Sequence, residues 1–315
     1  MVLSLHSHSG EYCAHASGTL RQVVEQAIAR GFAVYGLSEH APRTRTRDLY
    51  GDEVALGWTT EDTHSNFESF VAEARALQRE FADRICLLVG METELIHADS
   101  LANAATIAAT FGLDYLVGSV HHVNQIPIDY DQFLYAKAEA AAAAAVFDSK
   151  DVSVSPTETL FLQYFDAQFE MLSTLKPHVV GHFDLVSIFR PDHRLSENSW
   201  VKIKRNVDLI AEYGGIVEIN SRAWKKGLEF AYPHKSIIQY MQSKAVKFCL
   251  SDDSHGPNDV GMHYSRLHQY IKDLGIDTVH YPSVVEGSSN NSDTNIKRRH
   301  VAIENIIENP FWQQF

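Results

Sequence analysis

Histidines and acidic residues recur in this sequence directly after short apolar runs. His6 and His8 form an H-x-H pair after the apolar run 2–5. Alternate residues of an extended chain point to the same side, so both imidazoles can reach one metal ion. Seven more side chains of these two kinds follow later apolar runs or lie in the loops beyond them: His15, His40, Glu92, His121, His182, Asp253 and His255. Because imidazole and carboxylate groups together bind zinc, manganese or iron, the pattern predicts a metal site.

Each of these residues alone also has an ordinary structural interpretation. His121 and His182 could be core histidines that bond to the backbone. Glu92 could pair with an arginine, and Asp253 could cap a helix. Buried polar groups are costly unless they are coordinated or hydrogen-bonded, however, so packing accounts poorly for nine such groups at strand ends. The three cysteines are widely spaced and predict neither a disulfide framework nor a cysteine-based zinc module.

The elements that must position these residues alternate between strands and helices. Apolar runs predict strands over 2–5, 33–40, 85–94, 113–122, 178–184, 215–220, 246–253 and 277–281. Amphipathic spacing predicts helices over 20–31, 60–81, 99–111, 131–147, 157–175, 197–213, 234–243 and 263–274. Repeated βα units require a parallel sheet covered on both faces, either open and doubly wound or closed. About seven units favour an α/β fold closed as a (β/α)7 TIM-like barrel, whose reactive groups lie at the carboxyl ends of the strands.

One domain accounts for most of the chain. Residues 1–285 are predicted to form the barrel, because no linker-like composition divides them. Residues 286–315 are predicted to be a polar loop followed by a tail packed on or beside the barrel. The loop contains the turn-rich segment GSSNNSDTN at 287–295.

The net charge and the hydropathy of the sequence indicate which kinds of binding partner to expect. Lys+Arg 27 against Asp+Glu 40 gives a formal net charge of −13, which disfavours nucleic acid and favours a small-molecule substrate. No apolar stretch is long enough to predict a membrane span, and the amino-terminal segment lacks a basic signal-peptide region. We therefore expect a cytoplasmic protein without a membrane or nucleic-acid partner. The oligomeric state stays open.

The motifs H-x-H, SEH, G-x-E, GSVHH, GHFD and SDDSH follow one another along the chain. In this order they resemble the polymerase and histidinol phosphatase (PHP) family, in its histidinol-phosphatase branch as found in fungi. The longer strings GSVHHVNQIPID and EINSRAWKKG strengthen the resemblance, which covers residues 2 to about 280. It implies a distorted (β/α)7 barrel that holds three divalent metal ions, zinc, manganese or iron.

The resemblance also assigns the metal ligands in three groups. The first contains His6, His8, Glu92 and Asp253, the second Glu92, His121 and His182, and the third His15, His40 and His255. Glu92, Asp253 and His255 are the expected catalytic residues. The usual last motif is S-D-x-H, whereas this chain has SDDSH. Distance to His255 selects Asp253 as the ligand and leaves Asp252 as the alternative.

The activity that the resemblance implies is hydrolysis of L-histidinol phosphate to L-histidinol and phosphate, near the end of histidine biosynthesis. Ions in such a site activate water for attack on phosphorus, so we expect no phospho-enzyme intermediate. Arg43, Arg190 and Arg222 follow strand exits and are candidates for binding the phosphate, because guanidinium groups bind phosphate in a bidentate manner. Ordinary salt bridges are the alternative for each arginine. Asp184 is a candidate for orienting a ligand or handling a proton.

Three other functions remain open at this point. An amidohydrolase-type metal hydrolase also begins with H-x-H, but the third group of His15, His40 and His255 and the bridging Glu92 argue against it. A PHP phosphoesterase could act on another small phosphate ester. The barrel could also be a binding module that has lost activity, although all nine candidate ligands are present.

Overall fold

The computed structural model describes residues 1–146, 154–283 and 300–315. In chain order the strands are β1 (Leu3–Ser4), β2 (Ser7–His8), β3 (Val34–Leu37), β4 (Cys86–Glu92), β5 (Tyr115–Gly118), β6 (His122–Val123), β7 (Ile126–Pro127), β8 (Val179–Val180), β9 (Ile216–Asn220), β10 (Lys247–Ser251), β11 (Ser254–His255), β12 (Thr278–Pro282) and β13 (His300–Glu304). The α-helices are α1 (Leu20–Ala29), α2 (Gly51–Ala55), α3 (Thr60–Glu80), α4 (Ser100–Phe111), α5 (Gln132–Val146), α6 (Pro156–Leu175), α7 (Glu197–Tyr213), α8 (Arg222–Lys225), α9 (Lys235–Ser243) and α10 (Tyr264–Asp273).

Seven parallel strands form a barrel that is nearly closed. Their order in space, β1-β3-β4-β5-β8-β9-β10, follows their order along the chain. The two edges meet where the Leu5 backbone N–H donates to the Leu250 carbonyl oxygen at 3.1 Å. This architecture confirms the predicted α/β fold of the (β/α)7 type, with all seven carboxyl ends at one rim.

Two predicted strands are shorter than expected at that rim. The strand expected over 113–122 ends at Gly118, and the strand expected over 178–184 ends at Val180. The residues beyond them leave the sheet, so that His121 and His182 can turn inward. Small two-stranded pairings that the sequence did not predict continue from the rim, among them β2 with β11 and β6 with β7.

Side-chain caps fix where several of the predicted helices begin. Helix α1 starts with a capping box in which the Thr19 side chain accepts from the Gln22 N–H. Thr59 caps α3 in the same way through Asp62, and the Ser196 hydroxyl accepts from an N–H in the first turn of α7. The apolar faces of these helices pack onto the strands and form the core.

The Tyr115 side chain fills the middle of the barrel, and two glycines make room for it. Its hydroxyl donates to the Leu5 carbonyl oxygen at 2.9 Å. A Cβ atom at Gly36 would lie 2.2 Å from the Tyr115 hydroxyl oxygen, and one at Gly90 would lie 2.4 Å from the ring. Both separations are far below van der Waals contact, so any side chain at these positions would displace the ring.

The carboxyl-terminal segment packs beside the barrel in the part that the structure describes. Strand β13 pairs antiparallel with β12, and Phe311 and Trp312 are buried. Trp312 stacks on His268 at 4.6 Å and donates from Nε1 to the Ile306 carbonyl oxygen. The predicted polar loop at 287–295 lies outside the described residues. Within the described ranges, no helix has the length and apolar character needed to cross a membrane.

Trp312→Ala is expected to lower the free energy of unfolding by about 3–5 kcal/mol, because it removes a large buried ring and leaves a cavity. Urea unfolding followed by circular dichroism measures this loss. Gln313→Ala, which changes the exposed neighbouring side chain, is the matched control and is expected to change stability by less than about 0.5 kcal/mol. Equal stability of the two variants would show that the tail contributes nothing to the barrel.

Candidate metal centre

The nine predicted ligands all lie at the carboxyl rim of the barrel. Each leaves a strand or the loop directly after it, and the β2–β11 pairing places Ser254 beside Ser7 and His255 beside His8. The sequence positions brought together are His6, His8, His15, His40, Glu92, His121, His182, Asp253 and His255. Most of them are buried, which for charged groups requires partners or ions.

Glu92, the last residue of β4, lies at the centre of the cluster. Its Oε1 atom lies 3.3 Å from His6 Nε2, 3.1 Å from His121 Nε2 and 3.0 Å from His182 Nε2. Its Oε2 atom lies 3.4 Å from His8 Nε2 and 2.9 Å from His40 Nδ1. One carboxylate therefore faces two sets of nitrogens, as a bridging ligand must.

Asp253, and not Asp252, reaches this cluster. The Asp253 Oδ1 atom lies 3.7 Å from the Nε2 atoms of both His6 and His8. Its backbone is left-handed, with φ of 47°, and this turn separates it from the preceding carboxylate. Asp252 instead accepts from the Ser4 hydroxyl at 2.9 Å and from the Gly261 N–H at 2.7 Å. Burial raises the pKa of Asp252 to about 7.

His15, His40 and His255 gather on the other side of the cluster. The His15 ring centroid lies 5.3 Å from that of His40 and 5.0 Å from that of His255. The His40 and His255 centroids are 6.4 Å apart. The three groups assigned by the resemblance are therefore contiguous, and Glu92 and His40 lie where they meet.

Three buried glutamates that were not predicted from the sequence face the outer ring nitrogens of candidate ligands. A Glu218 carboxylate oxygen lies 3.1 Å from His6 Nδ1, and a Glu39 carboxylate oxygen lies 3.3 Å from His8 Nδ1. Glu94 lies 3.1 Å from His121 Nδ1. A neutral imidazole that donates from Nδ1 presents the lone pair of Nε2 to the site. The available signal was an acid inside an apolar strand, such as the glutamate of GIVEIN.

The electrostatics keep the carboxylates ionised. Burial opposes ionisation of Glu92, but the surrounding His6 and His121 lower its pKa well below the usual range. Burial likewise opposes ionisation of Asp253, yet His6 and Arg222 lower its pKa to about 2. Burial opposes protonation of His6 and His121, but the neighbouring carboxylates raise the pKa of both rings well above the usual range. Ionised carboxylates are the form that binds cations.

Unsatisfied nitrogens show that the cluster fits metal ions. Among the described residues, His6 Nε2, His8 Nε2 and both ring nitrogens of His40 have no hydrogen-bond partner. His121 Nε2 and His182 Nε2 face each other at 3.1 Å, close to the separation of about 3.3 Å for two nitrogens on one tetrahedral zinc ion. The set of nitrogen and oxygen donors suits zinc, manganese or iron.

A cavity of about 330 Å³ opens over the cluster. Cationic and anionic side chains line it together with apolar ones: Tyr50, Asp52, Asp129, Tyr130, Leu185, Ile188, Arg222, Lys226 and Tyr232. The sequence analysis did not predict the contributions of Lys226, Asp52 and Asp129. The volume suits a small molecule, and the presence of both cationic and anionic side chains suits one that carries charges of both signs.

The structure brings one of the three predicted phosphate-binding arginines to this cavity. Arg222 lines it and donates from Nη1 to the Asp253 carbonyl oxygen at 2.9 Å. Arg43 is buried behind the rim, where its Nη1 lies 3.1 Å from Glu94 Oε1. Arg190 pairs with Glu139 at 2.6 Å, away from the residues that line the cavity.

Arg43 does not line the cavity but pairs with Glu94, whose Oε1 atom lies 3.1 Å from His121 Nδ1. This pairing restricts the position of the carboxylate that faces His121. Asp184 lies in the wall of a neighbouring cavity, where its Oδ2 atom accepts from the His234 N–H at 2.8 Å. Burial raises the pKa of Asp184 to about 6.

Histidines and acids that converge at the carboxyl rim of a parallel barrel define the class of metal-dependent barrel hydrolases. The family model for the PHP domain matches residues 4–222. The chain therefore belongs to the PHP domain family, as the motifs predicted.

Two relatives match this chain over nearly its whole length. A probable histidinol-phosphatase of Schizosaccharomyces pombe is 38% identical over 320 residues, covering 100% of this chain and 97% of the relative. The histidinol-phosphatase of Saccharomyces cerevisiae is 32% identical over 345 residues, covering 98% of each. The crystal structure of histidinol phosphate phosphatase from Lactococcus lactis, complexed with zinc, L-histidinol and phosphate, has a TM-score of 0.61 at 18% identity. It covers 87% of this chain and 94% of that one, and establishes similarity of fold.

Proposed function

We propose that this protein is a metal-dependent phosphatase that hydrolyses L-histidinol phosphate to L-histidinol and phosphate. The observation that carries the proposal is the convergence of all nine metal-capable side chains on one rim, in a chain similar over its whole length to two histidinol-phosphatases. Membership of the PHP family favours this over the amidohydrolase alternative. A role in histidine biosynthesis, in the cytoplasm, remains the corresponding prediction.

Three divalent ions, zinc, manganese or iron, would be held by the three groups of residues. The first group is His6, His8, Glu92 and Asp253, the second Glu92, His121 and His182, and the third His15, His40 and His255. Such ions stabilise negative charge on phosphoryl oxygens and lower the pKa of water. Glu92 and Asp253 balance the positive charge of the ions, while His255 completes the third group next to them.

The other cavity residues suit the two ends of the substrate. Arg222 and Lys226 are cations that can bind the phosphate, Arg222 through a planar fork of donors. Asp52 and Asp129 are carboxylates that suit the ammonium group. The Tyr50 ring at the cavity wall offers an aromatic face to the imidazole. Together they favour a small zwitterionic phosphate ester over a polymer or a nucleotide, since nucleotides carry no ammonium group at neutral pH.

The test is a phosphate-release screen of the purified, metal-replete protein. We expect kcat/KM for L-histidinol phosphate to exceed that for nucleoside monophosphates and sugar phosphates. A substrate analogue without the amine separates recognition of the amine from recognition of the phosphate. Equal or faster turnover of nucleotides would contradict the proposed substrate and leave a PHP phosphoesterase of another specificity.

Arg222→Ala is expected to reduce kcat/KM for L-histidinol phosphate by about 10- to 100-fold, because a hydrogen bond to a charged group contributes about 1.5–3 kcal/mol. Steady-state phosphate release measures the change, and metal content by elemental analysis shows whether the centre is intact. Arg79→Ala on α3 changes an exposed arginine and is the matched control. Unchanged kcat/KM in Arg222→Ala would exclude this guanidinium from phosphate binding.

A further inference from the structure

Cys13 lies beside the third histidine group, although the sequence analysis assigned it no role. It follows β2 in a tight turn, in which its backbone N–H donates to the Ser9 carbonyl oxygen at 2.9 Å. The side chain is buried, with 4% of the residue exposed. Its Sγ atom lies 3.4 Å from His15 Nε2. Cys13 therefore has a polar neighbour, unlike a buried thiol that is packed only against carbon atoms.

Four possible ligand atoms meet at this point. Cys13 Sγ and one ring nitrogen from each of His15, His40 and His255 all lie within 4.8 Å of one another. Sulfur and nitrogen bound to one tetrahedral zinc ion are separated by about 3.6 Å, given Zn–S of about 2.3 Å and Zn–N of about 2.0–2.1 Å. The observed 3.4 Å between Cys13 and His15 matches this separation.

The approach of the thiol distinguishes it from the other three ligands. His15, His40 and His255 line the substrate cavity, and Cys13 is not among the described residues that do. Cys13 instead lines a small neighbouring cavity of about 20 Å³, whose walls also include His15, His40 and Trp58. The sulfur therefore contacts the histidine group from outside the substrate cavity.

The unpartnered state of His40 is the second, independent observation. Neither its Nδ1 nor its Nε2 atom has a hydrogen-bond partner among the described residues, although both are shielded from solvent. His40 Nδ1 contacts Glu92 at 2.9 Å, on the side of the other two groups. Nδ1 faces this carboxylate, whereas a buried Nε2 atom without a hydrogen-bond partner is costly unless an ion satisfies it.

We propose that Cys13 is the fourth protein ligand of the third ion, which makes a site of one cysteine and three histidines that prefers zinc. Four protein ligands with a thiolate are typical of closed zinc sites, whereas catalytic sites keep an open position. The soft sulfur favours zinc over manganese, and the carboxylate-containing first and second groups lack such a ligand. On binding, the thiol loses its proton to solvent as the sulfur–zinc bond forms. The inference rests on the proposed metal centre and is independent of the substrate.

Cobalt(II) reconstitution tests the proposal on the full chain. A thiolate ligand gives cobalt(II) an intense near-ultraviolet charge-transfer band, which we expect in the unsubstituted protein and in the control Cys86→Ser. Cys13→Ser is expected to lose that band and to keep the visible ligand-field bands of the other ions. An unchanged band in Cys13→Ser would overturn the assignment. A protein that binds no cobalt would overturn the metal centre itself.

X-ray absorption spectroscopy of the zinc-loaded, unsubstituted protein tests the same proposal without relying on a variant that folds. We expect a sulfur shell at about 2.3 Å beside the nitrogen and oxygen shell at about 2.0–2.1 Å. A spectrum from zinc-loaded protein that contains only the shorter shell would contradict ligation by Cys13. A third measurement is the zinc content after zinc-loaded protein is incubated with excess manganese. We expect the unsubstituted protein to retain the zinc ion of the third group and Cys13→Ser to release it.

Discussion

Glu92→Gln is expected to lower kcat/KM for L-histidinol phosphate by more than about 100-fold, since loss of a mere outer partner of a metal ligand typically costs 10- to 100-fold. Glu92 Oε1 and Oε2 face five histidine nitrogens in all, at 2.9–3.4 Å. The amide keeps the shape of the side chain but removes its charge and offers one oxygen in place of two. Two groups of ligands therefore lose their common member.

Phosphate release and elemental analysis on the same sample check this expectation. Metal content is expected to fall together with activity, because the first and second groups share Glu92. Glu68→Gln, at an exposed position of α3, carries the same chemical change and is expected to retain both metal and activity. A Glu92→Gln protein with full metal content and undiminished turnover would remove Glu92 from the centre.

Removal of divalent ions is expected to reduce activity to background. Hydrolysis of a phosphate monoester has one of the largest uncatalysed barriers, and the ions are expected to supply most of the charge stabilisation and water activation that lower it. The metal-free protein is also expected to melt at a lower temperature, because ions that bind only the folded state stabilise it. Without them, several buried imidazole nitrogens have no partner.

Chelation followed by desalting, with metal content measured before and after, provides this test. Activity is expected to return on addition of zinc, manganese or iron, and the rank of the three ions identifies the one that supports turnover best. A sample that receives the chelator together with excess metal controls for direct effects of the chelator. Full turnover by a protein shown to be metal-free would contradict the mechanism.

The barrel is predicted correctly from the sequence, and the nine candidate ligands converge at its rim, because both depend on local patterns. Each βα unit carries its own apolar run and amphipathic helix, and the rim residues come directly after the runs. His121 and His182 illustrate this, since a histidine that ends an apolar strand has few other uses. The predicted ends of these two strands are wrong, because the backbone leaves the sheet earlier than the apolar pattern suggests.

Side chains whose use depends on a distant partner could not be predicted. Arg43 and Arg222 look alike in sequence, as arginines that follow strand exits. Arg43 forms ion pairs with Glu94 and Glu53 behind the rim, whereas Arg222 lines the cavity. Cys13 is another case, because its sequence neighbours say nothing about His255, which comes much later in the chain and is brought beside it by the fold.

The choice between Asp252 and Asp253 depends on one backbone dihedral angle. Counting back from His255 selected Asp253 correctly as the residue that faces the cluster, but it gave no reason. The left-handed backbone of Asp253 directs its carboxylate toward His6, while Asp252 remains among hydroxyl and N–H donors. No sequence pattern specifies that turn, since aspartate adopts both conformations.

Pairing of β2 with β11 has a consequence for biosynthesis on the ribosome. It joins His8 to His255, so the first histidines to emerge must wait for roughly 250 further residues, or about 10 to 50 s of translation. Until then the nascent chain has only part of a coordination sphere to offer. The metal centre can therefore be completed only late in synthesis, once the segment that contains His255 has emerged.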